Sequence, residues 1–209
     1  FTHYIQSTNY KDIRKNYGWN KAIAVDHPLV GYKQWRHNFD SRINLQGSSE
    51  NAVVVVRSDG TLRSFTTRWG SYYSKTNGKD KLTKAVPQTV DAYWHYYTPE
   101  GNRETYNQQG QLVAINTPQG QIHSLSYTDG LLTSVSDSRG RSLHLQYDLE
   151  NRLTGLGLPD GKVVQYSYDT LGNLTKVTYP DDDVDPLNNP STGYILSLIH
   201  ISEPTRPIH

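Results

Sequence analysis

Apolar and polar residues alternate along much of the second half of this chain, and a period of two predicts β-strands with one buried face. Residues 142–147 read Ser-Leu-His-Leu-Gln-Tyr, and residues 163–168 read Val-Val-Gln-Tyr-Ser-Tyr. Short Gly-containing segments separate these strands, and Pro-Asp-Gly or Asp-Gly supplies the backbone angles that tight turns require. The pattern therefore predicts a series of antiparallel hairpins.

A repeat of tyrosine and glycine positions underlies the hairpins. The anchoring tyrosines recur at spacings of 21, 20 and 21 residues: Tyr106, Tyr127, Tyr147 and Tyr168. One turn precedes each tyrosine, and the turns contain Gly101, Gly120, Gly140 and Gly161. A second turn follows each tyrosine, and these turns contain Gly110, Gly130, Asn151 and Gly172. Features in phase over four units predict tandem two-stranded units that stack on one another.

Two details of the unit bear on its local structure. The residue after each tyrosine can bond the backbone just ahead and start a turn; these residues are Asn107, Thr128, Asp148 and Asp169. Each unit then carries two apolar residues three positions apart, such as Leu112 and Ile115. A regular strand places such a pair on opposite faces, so either both faces are covered or a β-bulge intervenes.

The first half contains fewer regular strands. Residues 34–45 alternate loosely, which predicts one strand starting at Trp35, and the apolar run 52–56 is typical of a strand covered on both sides. Ser-Asp-Gly-Thr at 58–61 predicts a hairpin turn, with a returning strand at 62–67.

The remaining segments of the first half receive three different predictions. Residues 1–30 have no clean period and are predicted to be irregular, with possible short strands. The polar, Gly-containing segment 71–84 predicts an exposed loop, whereas the aromatic segment 91–98 predicts a strand that pairs with the first repeat unit.

The repeat resembles a known family. Residues 147–154 (Tyr-Asp-Leu-Glu-Asn-Arg-Leu-Thr) and 168–175 (Tyr-Asp-Thr-Leu-Gly-Asn-Leu-Thr) resemble the YD repeat of the rearrangement-hotspot (Rhs) proteins, with weaker copies at Tyr106 and Tyr127. The Trp35–Asp40 region resembles the β-rich segment that precedes these repeats. The residues that define the repeat here are Tyr106, Tyr127, Tyr147, Asp148, Tyr168, Asp169, Gly120, Gly140, Gly161 and Gly172.

The resemblance implies an all-β fold in which an N-terminal β segment leads into tandem YD-type hairpins that form a curved, open sheet, part of a hollow β shell. We divide the chain into a β-rich segment (1–95), about four repeats (96–181), an acidic, Pro- and Asn-rich loop (182–195) and a tail (196–209). In such proteins the shell encloses a variable C-terminal toxin or effector, and many are secreted polymorphic toxins that act in competition between bacteria.

A structural role in the shell wall, without catalysis, is the function implied by the resemblance. The partners implied are the rest of the parent chain and an enclosed toxin, and the location implied is secreted or cell-surface. An extracellular module that binds carbohydrate or a cell-surface partner is the alternative, with its outward aromatics among Tyr93, Trp94, Tyr96 and Tyr97. Aromatics aligned with polar groups across units favour binding, whereas one Ser/Gln/Thr face and one apolar face favour the shell.

The ends of the chain suggest that it is a piece of a longer protein. It begins with Phe1 and contains no Met. It also contains no Cys, so disulfides and Cys-ligated metals are excluded. Residues 196–206 resemble one reading frame of a sequencing-library adapter, and we expect the tail to be an artefact of assembly. His200 and His209 in that tail are not interpreted as a metal site. No apolar run approaches 18 residues, so no membrane-spanning helix is predicted.

Candidate chemistry is sparse, and we predict neither catalytic residues nor a cofactor. The one acidic cluster is Asp181, Asp182, Asp183 and Asp185, whose carboxylates make it a weak candidate for a Ca²⁺ site. It lacks the spacing of a Ca²⁺ loop, so an exposed loop is the favoured prediction. The histidines considered are His37, His95, His123 and His144, predicted to be surface or half-buried rather than metal ligands. Residues 1–100 carry a net charge of +6 and the rest −5, but without a basic run we expect no nucleic-acid partner.

Overall fold

A computed structural model describes residues 3–4, 36–44, 52–69, 71–74, 78–180 and 191–193. Every regular element in these residues is a β-strand, and the strands form three open antiparallel sheets. The prediction of an all-β fold with tandem hairpin repeats in an open sheet is confirmed.

The two smaller sheets are formed by the first half of the chain. A two-stranded sheet pairs β1 (His3–Tyr4) with β2 (Arg36–His37). A four-stranded sheet has the order β3 (Arg42–Asn44), β4 (Ala52–Val56), β5 (Leu62–Arg68) and β6 (Ser71–Ser74). Strands β4 and β5 are joined by the predicted turn, in which the Asp59 carboxylate accepts bonds from the backbone N–H and the hydroxyl of Thr61.

The large sheet has eleven strands, each paired with its neighbour in sequence. Its strands are β7 (Lys81–Lys84), β8 (Trp94–Tyr97), β9 (Arg103–Tyr106), β10 (Leu112–Asn116), β11 (Ile122–Thr128), β12 (Leu131–Asp137), β13 (Ser142–Tyr147), β14 (Leu153–Gly157), β15 (Val163–Tyr168), β16 (Leu174–Thr178) and β17 (Ser191–Gly193). The aromatic segment thus pairs with the first repeat unit through β8 and β9, as predicted.

The large sheet has one apolar and one polar face because side chains alternate along each strand. Across β13, β14 and β15, Leu145, Leu156 and Val164 occupy paired positions and are all buried. A matching row of the other face joins serines across three strands: Ser124, Ser136 and Ser142. This is the two-faced arrangement that favours a shell wall over a binding module.

The spacing of the two apolar residues in each unit is explained by a bulge. Leu112 lies opposite Tyr106, but Ala114 lies opposite Thr105, so Val113 is an extra residue in β10. The same register shift recurs between β11 and β12, between β13 and β14, and between β15 and β16. Because of this extra residue, both apolar residues of a unit face the core.

Two predictions for the first half are wrong. Residues 71–84 contain β6 and β7 instead of one exposed loop, because Tyr72 packs edge-on against Trp94 and Leu82 is buried. Residues 34–45 do not form one strand, since a turn at 38–41 separates β2 from β3. The strands in both segments are only two to four residues long, too short for an alternating pattern to define where each one begins and ends.

Candidate functional site

The repeat tyrosines join neighbouring strands through their hydroxyl groups. Tyr127, Tyr147 and Tyr168 are half-buried against the core. Their hydroxyls donate to the backbone carbonyls of Leu112, Leu132 and Leu153 over 2.8, 2.8 and 2.7 Å, respectively. Burial raises the pKa of all three phenols, so they stay protonated and keep donating. Each hydroxyl therefore fastens its own strand to the bulged strand before it.

A threonine occupies the extra position of the bulge in three units, which sequence reasoning missed. Its hydroxyl donates to a carbonyl of the partner strand, and the pairs are Thr133–Ser126 (3.2 Å), Thr154–Gln146 (3.3 Å) and Thr175–Ser167 (3.1 Å). The first unit has Val113 there. The signal was present as threonines spaced by 21 residues, but nothing in the sequence marked them as bulge positions.

The aspartates that follow the tyrosines hold the next turn. The Asp148 carboxylate accepts bonds of 2.9 Å from the backbone N–H groups of Glu150 and Arg152, and the Arg152 guanidinium adds an ion pair of 2.7 Å. Burial opposes ionisation of Asp148, but these donors hold its pKa below the ordinary value. Asp169 binds Leu171 and Asn173 in the same manner, and the hydrogen bonds from Asn173 lower its pKa as well.

The second unit departs from this pattern at Thr128. The residue ends β11 opposite Leu131 instead of starting a wider turn, and its hydroxyl lies 3.5 Å from that of Thr133. Only Asp129 and Gly130 remain in the loop, and both have positive φ. The shorter loop explains why this one tyrosine spacing is 20 residues instead of 21.

The repeat glycines share one turn geometry. Gly120, Gly140, Gly161 and Gly172 have φ between 80 and 86°, and each donates its N–H to the carbonyl three residues earlier. L-residues rarely adopt this conformation, so glycine is the natural choice. Asn151 takes the position in the third unit, with φ of 61°.

Tyr106 has the repeat position but a different contact. It is fully buried, and its hydroxyl donates to Glu104 over 2.6 Å. The Glu104 carboxylate forms a two-pronged ion pair with Arg57, which directly follows β4, and one prong measures 2.7 Å. The Arg57 guanidinium also lies 4.6 Å from the centroid of the Tyr96 ring. We name these four residues the junction cluster.

The junction cluster ties the four-stranded sheet to the start of the repeats. Burial opposes the charge of Arg57, but its hydrogen bond and ion pair with Glu104 raise the pKa of the guanidinium above its ordinary value, so Arg57 keeps its charge. Burial and the neighbouring Glu104 raise the pKa of Tyr106. A second ion pair of 3.0 Å, between Arg63 and Asp80, crosses the same junction. Sequence reasoning did not find these contacts.

Backbone contacts complete the junction. The N–H of Ile43 in β3 donates to the carbonyl of Gly110 over 2.8 Å, and Arg42 bridges to Gln111. A Cβ at Gly110 would lie 2.2 Å from the Ile43 carbonyl oxygen. Beside this contact, the Phe39 ring packs 6.2 Å from His123. The four-stranded sheet therefore contacts directly the turn that follows Tyr106.

The remaining candidate residues are the aromatic side chains of segment 91–98, the four histidines and the acidic cluster. Trp94 and Tyr96 are buried, whereas Tyr93 and Tyr97 are half-buried on the large sheet. The four histidines lie on four different strands, and His95 and His123 are half-buried whereas His144 is exposed. The prediction of a surface or half-buried position is wrong for His37, which is buried and accepts a 3.2 Å bond at Nδ1 from the backbone N–H of Phe39. The cluster Asp181, Asp182, Asp183 and Asp185 and the tail lie outside the described residues. Within the described ranges no three His, Cys, Asp or Glu residues converge, and no helix is long and apolar enough to cross a membrane.

Comparison with known proteins identifies one family whose model covers most of the repeats. The model of the Teneurin YD-shell family matches residues 102–207, half of the chain, including the adapter-like residues. No curated protein matches significantly. Among 25 matching chains of solved structures is one from the crystal structure of TcdB2-TccC3-Cdc42, at 18% identity and a TM-score of 0.32. That match covers 62% of this chain and only 8% of the other.

Proposed function

This chain belongs to the teneurin YD-shell family, and on that premise we propose that it is a section of a shell wall that encloses a C-terminal toxin or effector of its parent protein. The membership confirms the resemblance to the Rhs and YD-repeat proteins, and it assigns the chain a structural role. Enclosure, delivery, and a secreted or cell-surface location are parts of the proposal.

The observation that carries the proposal is the two-faced, eleven-stranded sheet. Its apolar face is continuous from unit to unit, and the hydroxyls of Tyr127, Tyr147 and Tyr168 each donate to a backbone carbonyl of the unit before. In the described ranges, no three His, Cys, Asp or Glu residues of the chain converge on a site that could hold a metal ion. We therefore assign the repeats no catalysis and place any activity in the enclosed domain.

Long-read sequencing across the source locus, through the codons for residues 194–209, tests this proposal. We expect the frame to continue into further Tyr-Asp units and then into a divergent C-terminal domain. Production of that domain alone is expected to inhibit bacterial growth, and production within the whole parent is not. A stop codon directly after an intact native tail would overturn the proposal.

A further inference from the structure

The chain contains three Asp-Gly pairs, and each lies in a turn between two strands. The pairs are Asp59-Gly60, Asp129-Gly130 and Asp160-Gly161. Aspartate followed by glycine is the sequence in which a side-chain carboxyl reacts most readily with the backbone, because glycine has no Cβ to shield its nitrogen. Hydrogen bonds to the nitrogen or to the carboxylate oppose this reaction, since they have to break first.

In the first and third pairs, hydrogen bonds hold both reacting groups. The glycine N–H donates to the carbonyl three residues earlier, and the aspartate carboxylate accepts from the backbone N–H two residues later. The four bonds are Gly60–Arg57 (2.9 Å), Gly161–Leu158 (3.0 Å), Asp59–Thr61 (2.8 Å) and Asp160–Lys162 (3.1 Å).

The second pair lacks both kinds of bond. Asp129 and Gly130 form the whole loop between Thr128 and Leu131, and both are exposed. Within the described ranges, the Gly130 N–H has no acceptor and the Asp129 carboxylate has no donor or ion-pair partner. A Cβ at Gly130 would meet nothing within 4 Å, so the surrounding space is open. Asp129 also has a φ of 51°, which L-residues rarely adopt, so departure from this conformation relieves strain.

We propose that Asp129 is a site of spontaneous isomerisation to isoaspartate, a modification of the backbone that needs only water. The reaction requires a backbone nitrogen and a carboxyl group that are not held by hydrogen bonds. The second pair meets both conditions, whereas the other two pairs meet neither. This inference is independent of the enclosed domain in the proposed function.

The chemistry is a loss of water followed by its return. The Gly130 nitrogen attacks Cγ of the protonated Asp129 carboxyl, the N–Cγ bond forms, and the Cγ–OH bond breaks. The hydroxyl leaves as water with the proton of the nitrogen, and a five-membered imide remains. Water then cleaves the bond from the nitrogen to one of the two imide carbonyls. Cleavage at Cγ restores aspartate, and cleavage at the α-carbonyl leaves isoaspartate.

The product changes the shortest loop of the repeats. In isoaspartate the main chain passes through Cβ and Cγ of Asp129, which adds one atom to the loop. A two-residue loop with positive φ at both positions matches the twist of its strands closely. We therefore expect isomerisation to weaken the Thr128–Leu131 pairing and the 3.4 Å bond from the Gln111 side chain to the Gly130 carbonyl.

Peptide mapping of the full chain after storage tests the proposal. The three pairs lie in separate tryptic peptides, residues 58–63, 104–139 and 153–162. Storage at a pH of about 5 keeps some of the aspartate carboxyls protonated. Isoaspartate is detected as a peptide of unchanged mass and new retention time, and fragmentation by electron transfer locates it. We expect it to form in peptide 104–139 at least about fivefold faster than in the other two, because each of those has hydrogen bonds to break.

The chain stored in urea is the matched control. Unfolding removes the hydrogen bonds, so the three peptides should then convert at similar rates. Equal rates in the folded chain, a faster reaction at Asp59 or Asp160, or no isoaspartate at Asp129 while the unfolded chain converts would each overturn the proposal.

A variant identifies the reacting residue within peptide 104–139, which also contains Asp137. Asp129→Gly keeps a residue that adopts positive φ without strain, so the hairpin should fold. The isoaspartyl form of the peptide should disappear in this variant. Its persistence at the same rate would assign the reaction to Asp137 and would contradict the proposal.

Discussion

The contact between Gly110 and Ile43 allows a direct test of how the four-stranded sheet packs on the repeats. Gly110 and Gly120 have nearly the same φ, 82 and 81°, and occupy equivalent turn positions. A Cβ at Gly120 meets nothing within 4 Å, whereas one at Gly110 meets the Ile43 carbonyl oxygen at 2.2 Å. The effects of Gly110→Ala and Gly120→Ala on stability are therefore expected to differ through the contact with Ile43.

The expected cost follows from these distances. Gly120→Ala should lower the free energy of unfolding by about 1 kcal/mol, because alanine is disfavoured in the left-handed conformation. Gly110→Ala has the same conformational cost and also displaces Ile43, which is 2% exposed and donates its backbone N–H to the Gly110 carbonyl. Loss of that bond and part of the burial adds about 2 kcal/mol, for a total near 3 kcal/mol.

Urea unfolding of the two variants and the parent sequence, followed by circular dichroism, measures both costs. We expect the free energy of unfolding to fall about three times as far for Gly110→Ala as for Gly120→Ala. Losses that agree within about 0.5 kcal/mol would refute the contact between the sheets. Asn151→Gly is a useful third variant. Glycine adopts a positive φ without strain, so the free energy of unfolding should stay unchanged or rise slightly.

Three further predictions concern buried charge, repeat tyrosines and acid. Glu104→Gln should lower the free energy of unfolding by about 3 kcal/mol because it removes the carboxylate charge that faces the partly buried Arg57 guanidinium; a loss below about 1 kcal/mol in urea unfolding would contradict the junction. Tyr147→Phe should cost about 1 kcal/mol because the Leu132 carbonyl loses its donor, and a neutral result in the same assay would count against the tyrosine bonds. The folded-state pKa of Asp148 is lowered, so its contribution to stability is complete above the unfolded-state pKa of about 4 and is lost as the pH falls through the lower folded-state pKa. The melting temperature of Asp148→Asn should therefore depend less on pH between about 5 and 2 than that of the parent sequence, and identical profiles would argue against this role.

The repeat was predictable because its signals are local. Glycine at a positive φ and aspartate at the start of a turn act within five residues, and alternation defines which face of a strand is buried. The bulge was foreseen only as one of two alternatives, because a three-residue spacing is compatible with both. Its resolution required the register of the partner strand.

The junction was not predictable for the opposite reason. Arg57 and Glu104 are 47 residues apart, and nothing near either residue in sequence indicates that it has a partner. Tyr106 has the spacing of the repeat tyrosines, yet its hydroxyl donates to Glu104, which in turn pairs with Arg57 of the four-stranded sheet. The strands in 71–84 depend likewise on distant aromatic contacts.

Electron cryomicroscopy of the parent protein, identified from the source locus, tests the central claim most directly. The account predicts a hollow shell in which residues 78–180 form one continuous stretch of wall, with the apolar face toward the interior and the serine rows outside. A solid β-structure without an enclosed volume, or a repeat sheet with its polar face inward, would contradict it.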